Sequence, residues 1–316
     1  MAKYLITGAA GFIGSNLVSH LLDAGQTVVA LDNFSGGFRE NLAFVEQHPN
    51  AHLFRLIDGD IRDFKTCQEA CDGATYVLHQ GALGSVPRSM TDPALYHENN
   101  ITGTLNMLMA AKEAGVKRFV FASSSSVYGD TPTLPKEETM FPNPKSPYAV
   151  TKLTGEYYCK IFWTAYGLPT VMLRYFNIFG PRQNPNSQYS AVIPKFITAC
   201  IKQESPIIFG NGEQTRDFTF VENVIQANLR ACEAPQEAFG QPINIGCGSR
   251  ISLNHLAKNI QAILKCDHLP IEYQAPRIGD VQDSLAATER MKNWLGLTTP
   301  ISLEEGLYKT TTFYTC

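Results

Sequence analysis

The chain lacks most of the signals that would place it quickly. None of its apolar runs approaches the roughly 18 residues needed to cross a bilayer. Met1 to Ile6 lead into a strand-like run and then glycines, without the long apolar stretch and small-residue cleavage site of a signal peptide. A cytoplasmic protein with no membrane partner is therefore expected. Positive charge is not in excess. Lys and Arg number 26 against 29 Asp and Glu, a net charge of -3, so a nucleic-acid partner is not expected either. No C-x-x-C pair occurs among the eight cysteines. Cys67 and Cys71 are four apart, but no His or second cysteine pair completes a metal site, and no metal is expected. The disulfide frameworks of short secreted chains do not apply at this length, so the cysteines are read as free structural thiols in a reducing compartment. Internal repeats and low-complexity tracts are also absent.

What is present is a 316-residue chain that is 44% hydrophobic, enough to build a two-lobed core and exclude global disorder. Its first half alternates short β-rich runs with helical patterns. Strands are expected at 4–7, 27–31, 52–57, 76–79, 118–123 and 170–175. Helices are expected at 12–24, about 93–114 and 147–166, closed by Gly25, Gly115 and Gly167. This alternation implies right-handed βαβ units and a parallel sheet covered on both faces. The expected fold is α/β, a Rossmann-like doubly wound parallel sheet with a smaller α/β C-terminal substrate domain. After Asn177 the pattern loosens. A loop is expected over 180–190, then helices near 191–202, 221–233, 253–265 and 288–295, and short strands at 206–209, 242–245 and 270–273 that would belong to the smaller unit. The division expected is 1–176 for a dinucleotide and mainly 177–316 for substrate, with 212–240 packing back onto the first part.

Gly8, Gly11 and Gly14 form G-x-x-G-x-x-G between the first strand and first helix, with Phe12 and Ile13 opening that helix. Glycines there let backbone approach a diphosphate, and the helix N-terminus offers free N–H groups and a positive dipole end. Asp32 ends the second strand, 18 positions beyond Gly14. A carboxylate there accepts from an adenosine ribose and repels a 2′-phosphate, which favours NAD over NADP. Asp60-Ile61 after the third strand suits an adenine amino group, and Gln80-Gly81-Ala82 after the fourth must pass close to the cofactor.

Tyr148 and Lys152 form Y-x-x-x-K at the start of a helix, and their spacing puts both on one face. A phenol near pKa 10 is a poor base at neutral pH, so the ammonium and an oxidised nicotinamide are expected to pull it toward the working range. Ser123 to Ser126 end the fifth strand, at the sheet edge where α/β proteins bind ligands. Four hydroxyls there suit a polar substrate with several hydroxyls of its own.

Together with Arg174-Tyr175-Phe176-Asn177 and Gly180, these elements resemble the extended short-chain dehydrogenase/reductase family, over nearly the whole chain. Within it the chain is most similar to the NAD-dependent epimerases and dehydratases, in particular the bacterial UDP-N-acetylglucosamine 4-epimerases of surface-polysaccharide synthesis. Segments 79–88 (HQGALGSVPR), 191–195 (AVIPK), 216–218 (RDF) and 277–280 (RIGD) add to the likeness.

The resemblance implies an NAD cofactor, a UDP-sugar substrate and a homodimer built on helices near 93–114 and 147–166. It implies transient oxidation of the sugar to a 4-keto form, with Tyr148 and Ser124 handling the 4-hydroxyl proton and Lys152 holding the nicotinamide ribose. Further cofactor contacts are implied at Asn33, Ser35, Gly37, Asn99, Tyr175, Phe176 and Ile178. Substrate contacts are implied at Gly84, Ser85, Ser125, Ser126, Ala191, Val192, Lys195 and Arg250. Asn177 and Arg216 would touch the diphosphate, Arg277 would clamp phosphate, and Asp280 would bind the uridine ribose.

Ser284 stands where the family's enzymes restricted to UDP-glucose and UDP-galactose carry a bulky Tyr, and the smaller side chain leaves room for a 2-acetamido group. The chain departs from the expected pattern at Ile207 and Phe209, where more polar uridine contacts are usual, and at Gly81, which replaces an Ala. Ser125 and Ser126 occupy the place of the Asp-Glu pair of the family's dehydratases, and the Glu typical of decarboxylases is missing. The reading is 4-epimerisation of a UDP-hexose, most specifically UDP-N-acetylglucosamine. A UDP-glucose or UDP-hexuronic acid 4-epimerase, a dehydratase or decarboxylase, and a non-catalytic dinucleotide sensor stay open.

Overall fold

The computed structural model describes residues 2–185, 192–276 and 282–315. Strands β1 (Lys3–Thr7), β2 (Thr27–Asp32), β3 (Phe54–Asp58), β4 (Tyr76–His79), β5 (Arg118–Ser124) and β6 (Thr170–Tyr175) lie in one seven-stranded sheet with Pro242–Ile245. The order is Pro242–Ile245, β6, β5, β4, β1, β2, β3, and all neighbouring pairs are parallel. Side-chain alternation divides each strand between two cores. Leu5 packs among Cys67, Met107 and Cys159, while Ile6 packs among Leu17, Val18 and Val224. One face is therefore covered by the helices Phe12–Asp23 and Val221–Cys232, and the other by Phe64–Cys71, Gly103–Glu113 and Pro147–Tyr166.

Strand order reverses between β1 and β4, which opens a crevice at their carboxyl ends. A third core joins the helices Val192–Ile201, Leu253–Leu264 and Leu303–Thr315 through Phe196, Leu256 and Leu307. Ile207–Phe209 pairs there with Glu272–Gln274.

Three expectations need correction. Pro242–Ile245 is not part of the smaller unit; it extends the main sheet beside β6, because a short apolar run carries no signal of which sheet it joins. The third strand starts at Phe54, after a 3-10 turn at Ala51–Leu53. The single helix expected over 93–114 is interrupted by a π turn at His97–Thr102, between Pro93–Tyr96 and Gly103–Glu113. The π turn turns Asn100 inward. Its Oδ1 accepts from the Leu83 amide at 2.8 Å, and its Nδ2 donates to the Leu83 carbonyl and to Thr151 Oγ1 at 3.1 and 3.0 Å. Such turns recur beside functional sites, and this one holds the loop that lines the crevice.

Among the described residues, seven cysteines are free, and no helix is long and apolar enough to cross a membrane.

Candidate active site

A cavity of about 610 Å³ runs along the crevice. It takes in Gly8 to Gly14, the turn from Asp32 to Gly37, Gln80 to Ser85 and Asn99, and ends at Tyr148, Lys152 and Tyr175. Backbone geometry explains its glycines. Gly8 has φ 64°, and a Cβ there would meet Gly81 Cα at 2.8 Å. A Cβ at Gly14 would lie 2.1 Å from the Gly8 carbonyl oxygen. Side chains would therefore close the approach to the amides at the N-terminus of Phe12–Asp23, the surface a diphosphate needs.

Asp32 is buried and accepts from the Ala10 and Phe34 amides, each at 2.8 Å, one on each carboxylate oxygen. Burial raises its pKa, and the two amides oppose that shift. Lone pairs remain on both oxygens for ribose hydroxyls. These features fit a dinucleotide.

The remaining predicted cofactor residues divide. Asp60 does not line the cavity. Its carboxylate is bound by Arg62 at 2.7 Å and Asn33 at 2.8 Å, and hydrogen bonds from Arg62 hold its pKa down at about 2. Ile61, its neighbour, does line it. Phe176 is 0% exposed, packed against Tyr128 at 6.2 Å between ring centres, so its ring supports the site from behind. Ile178 faces a second cavity instead. Tyr175 forms a closed hydrogen-bond triangle with Gln80 (3.1 Å) and Asn228 (2.9 Å), whose third side is Gln80 Nε2 to Asn228 Oδ1 at 2.9 Å. Asn228 was not anticipated, since nothing in the sequence marks a residue 148 positions from Gln80 as its partner.

Ser124, Tyr148 and Lys152 lie close together, Tyr148 and Lys152 lining the first cavity. Ser146 caps the helix Pro147–Tyr166 by accepting from the Ala149 amide at 3.2 Å, and Pro147 starts it. The Tyr148 phenol lies near enough to Ser124 for that hydroxyl to lower its pKa. Lys152 is 5% exposed; its Nζ donates to the Ala122 carbonyl at 2.7 Å and sits 5.9 Å from the Tyr148 ring centre. Burial brings its pKa down to about 8. The Tyr148 phenol does not follow the expectation. Burial raises it, Ser124 opposes that shift, and Lys152 is not among the groups that move it.

The serine run also divides. Ser123 donates to buried Glu156 at 2.5 Å, Glu156 pairs with Arg174 at 2.7 and 2.8 Å, and Ser123 itself lines the first cavity. Ser124 Oγ accepts from the Ser126 amide at 3.2 Å, and Ser125 begins a 3-10 turn. Ser126 Oγ is buried and has no hydrogen-bond partner among the described residues.

A second cavity, of about 420 Å³, shares Gly84 and Ser85 with the first. Asn177, Ile178, Val192, Lys195, Ile207, Phe209 and Arg216 line it. Asn177 Nδ2 donates to Ser284 Oγ and to the Asp217 carbonyl, each at 3.0 Å. Arg216 is half-buried, with Nη1 on the Thr215 and Gln282 carbonyls. Arg250 lies outside both cavities and pairs with Asp283 at 3.4 Å. Ala191, Arg277 and Asp280 lie outside the described residues.

Arg88 and Tyr96 line the first cavity without having been anticipated. Tyr96 meets Tyr148 edge-on at 6.5 Å and accepts from the Ser85 amide at 3.1 Å.

Comparison with known proteins agrees with this geometry. Residues 4–246 match the model of the NAD dependent epimerase/dehydratase family. The chain is 37% identical to a UDP-glucose 4-epimerase of Mycolicibacterium smegmatis, over 99% of this chain and 98% of that protein. It is 33% identical to a UDP-glucuronate 4-epimerase of Thermodesulfobacterium geofontis, over 98% and 95%. Among solved structures, a UDP-N-acetylglucosamine 4-epimerase of Methanobrevibacter ruminantium, in complex with UDP-N-acetylmuramic acid, superposes with a TM-score of 0.92 at 38% identity, covering 99% of this chain and 98% of that one. The chain thus belongs to the NAD dependent epimerase/dehydratase family, with NAD as its cofactor and the extended short-chain dehydrogenase/reductase fold.

Proposed function

We propose that the protein is a UDP-hexose 4-epimerase whose preferred pair is UDP-N-acetylglucosamine and UDP-N-acetylgalactosamine. The observation that carries the proposal is the join between the two cavities at Gly84 and Ser85. A nucleotide-sugar lying across it would put its diphosphate near Asn177, Lys195 and Arg216 and its sugar near Tyr148. The planar donor fork of an arginine suits diphosphate oxygens. NAD, when bound, supplies a reversible acceptor for the hydrogen on C4 of the sugar. Tyr148 takes the 4-hydroxyl proton and gives it back, and Ser124, beside the phenol, orients that hydroxyl. Lys152 holds its charge below about pH 8 and favours the phenolate once the cleft is filled. Firm contacts to the nucleotide and few to the sugar leave the oxidised sugar free to turn over between the two half-reactions.

The acetamido preference rests on Ser284, whose small side chain sits beside Asn177. Replacing it with tyrosine tests this. Ser284→Tyr is expected to lower kcat/KM on UDP-N-acetylglucosamine by ten-fold or more while leaving UDP-glucose within about three-fold. Equal losses on both sugars would remove the argument. A UDP-hexuronic acid is the second reading, favoured by Arg88 in the first cavity, since a cation there suits a carboxylate. Cofactor binding is assigned mainly to 1–176 and substrate binding mainly to 177–316. We also propose a homodimer formed through the outer face of Pro147–Tyr166, where Val150, Tyr157 and Ile161 are exposed.

A further inference from the structure

Asp217 is a fully buried carboxylate that none of the steps above uses. Its Oδ1 accepts from the Cys247 amide at 2.9 Å, and its Oδ2 accepts from the Gly248 and Ala286 amides, both at 3.1 Å. Its own carbonyl accepts from Asn177 Nδ2 at 3.0 Å. One residue therefore ties together three separate stretches of chain: the turn after Pro242–Ile245, the segment carrying Ser284, and Asn177 at the end of β6. Asp217 also follows Arg216 directly. Asn177 is held at φ 38°, a left-handed conformation uncommon outside glycine, and its amide closes the ring by donating to Ser284 Oγ. The backbone adds two further ties, from the Ser284 amide to the Thr215 carbonyl at 3.1 Å and from the Lys136 amide to the Leu285 carbonyl at 2.7 Å. No cation is among the groups acting on Asp217: burial raises its pKa to about 6, and only the three amides oppose that shift.

We infer that Asp217 is a positioning residue for substrate: its carboxylate sets where Ser284 stands relative to Asn177 and Arg216, and so governs affinity and acyl selectivity for the nucleotide-sugar without touching it. A carboxylate that accepts three amides fixes backbone more tightly than a carboxamide of equal size, which offers one acceptor oxygen and turns an N–H₂ toward donors. The inference rests on reading this end of the molecule as the UDP-sugar site.

The test is Asp217→Asn, measured as KM and kcat on UDP-N-acetylglucosamine and UDP-glucose, together with the NAD content of the purified protein. KM is expected to rise at least ten-fold, with kcat changed less than three-fold and NAD content unchanged, because Tyr148, Lys152 and the glycine loop lie elsewhere. The ratio of the two KM values is expected to move as well. Gly246→Ala guards against a misfolded first variant. Its added methyl would meet Asp217 Oδ2 at 2.9 Å and Ala286 Cβ at 2.6 Å, displacing the same contact with the charge retained. It is expected to raise KM selectively too. Folded variants with unchanged KM, or with only a lowered Tm, would overturn the inference, as would loss of kcat and NAD together. If the parent protein itself epimerises no UDP-sugar, the functional reading fails instead, and the two failures are told apart.

Discussion

His79 shows how a single residue couples the floor of the crevice to solution conditions. It is 1% exposed, with Nδ1 2.7 Å from Thr7 Oγ1 and Nε2 3.0 Å from Thr104 Oγ1. Thr7 Oγ1 also accepts from the Gly81 amide at 3.0 Å, so the ring supports the strand ends under the cofactor. Burial lowers its pKa to about 3, against an ordinary value near 6.5. Below pH 6.5 the unfolded chain therefore binds a proton that the folded chain refuses. Stability from this group is complete above pH 6.5 and declines as pH falls toward 3, by about 1.4 kcal/mol per pH unit. Chemical denaturation from pH 7 to 5 should show this slope, and His79→Gln should flatten it. Equal slopes in the two proteins would refute the assignment. His79 was legible in the sequence only as part of a segment near the cofactor, because its burial depends on Thr104, 25 residues away. Gly8 and Gly14 were legible outright, since the pattern and its strand–helix setting are local. The role of Asp217 was not, because its three amide partners lie 30 to 69 positions further along the chain.

At the scale of elements, the helix Pro147–Tyr166 was readable to its ends. A capping serine, a proline at the first helical position and Gly167 at φ 71° are all local signals. The π turn at 97–102 was not readable, since one altered turn barely disturbs the helical period of apolar residues. The helix also has a face the monomer does not use. Val150, Tyr157 and Ile161, at 46%, 58% and 50% exposure, are spaced to share one side. Light scattering is expected to find a dimer rather than the monomer mass of 34.9 kDa, and Tyr157→Glu combined with Ile161→Lys is expected to yield monomers. A parent protein that already runs at the monomer mass would contradict the proposed interface.

At the scale of the whole molecule, the doubly wound sheet followed from alternating strands and helices, and with it the crevice where strand order reverses between β1 and β4. What the sequence pattern did not resolve was non-local. Pro242–Ile245 reads like any short buried strand until its register against β6 is known. The mild net charge of -3 is compatible with a diphosphate ligand, since a few placed cations and a helix N-terminus can bind one without a basic surface. Under the proposed function, catalysis and substrate choice would belong to different parts of the chain: Ser124, Tyr148 and Lys152 at the sheet edge, Asn177 and Ser284 beyond it. The most direct test is to incubate the purified protein separately with UDP-N-acetylglucosamine, UDP-glucose and UDP-glucuronate and follow the sugar protons by NMR. The account predicts C4 inversion, fastest for UDP-N-acetylglucosamine, with no net change in NAD. No inversion of any of the three, or a product that has lost water or carbon dioxide, would contradict it.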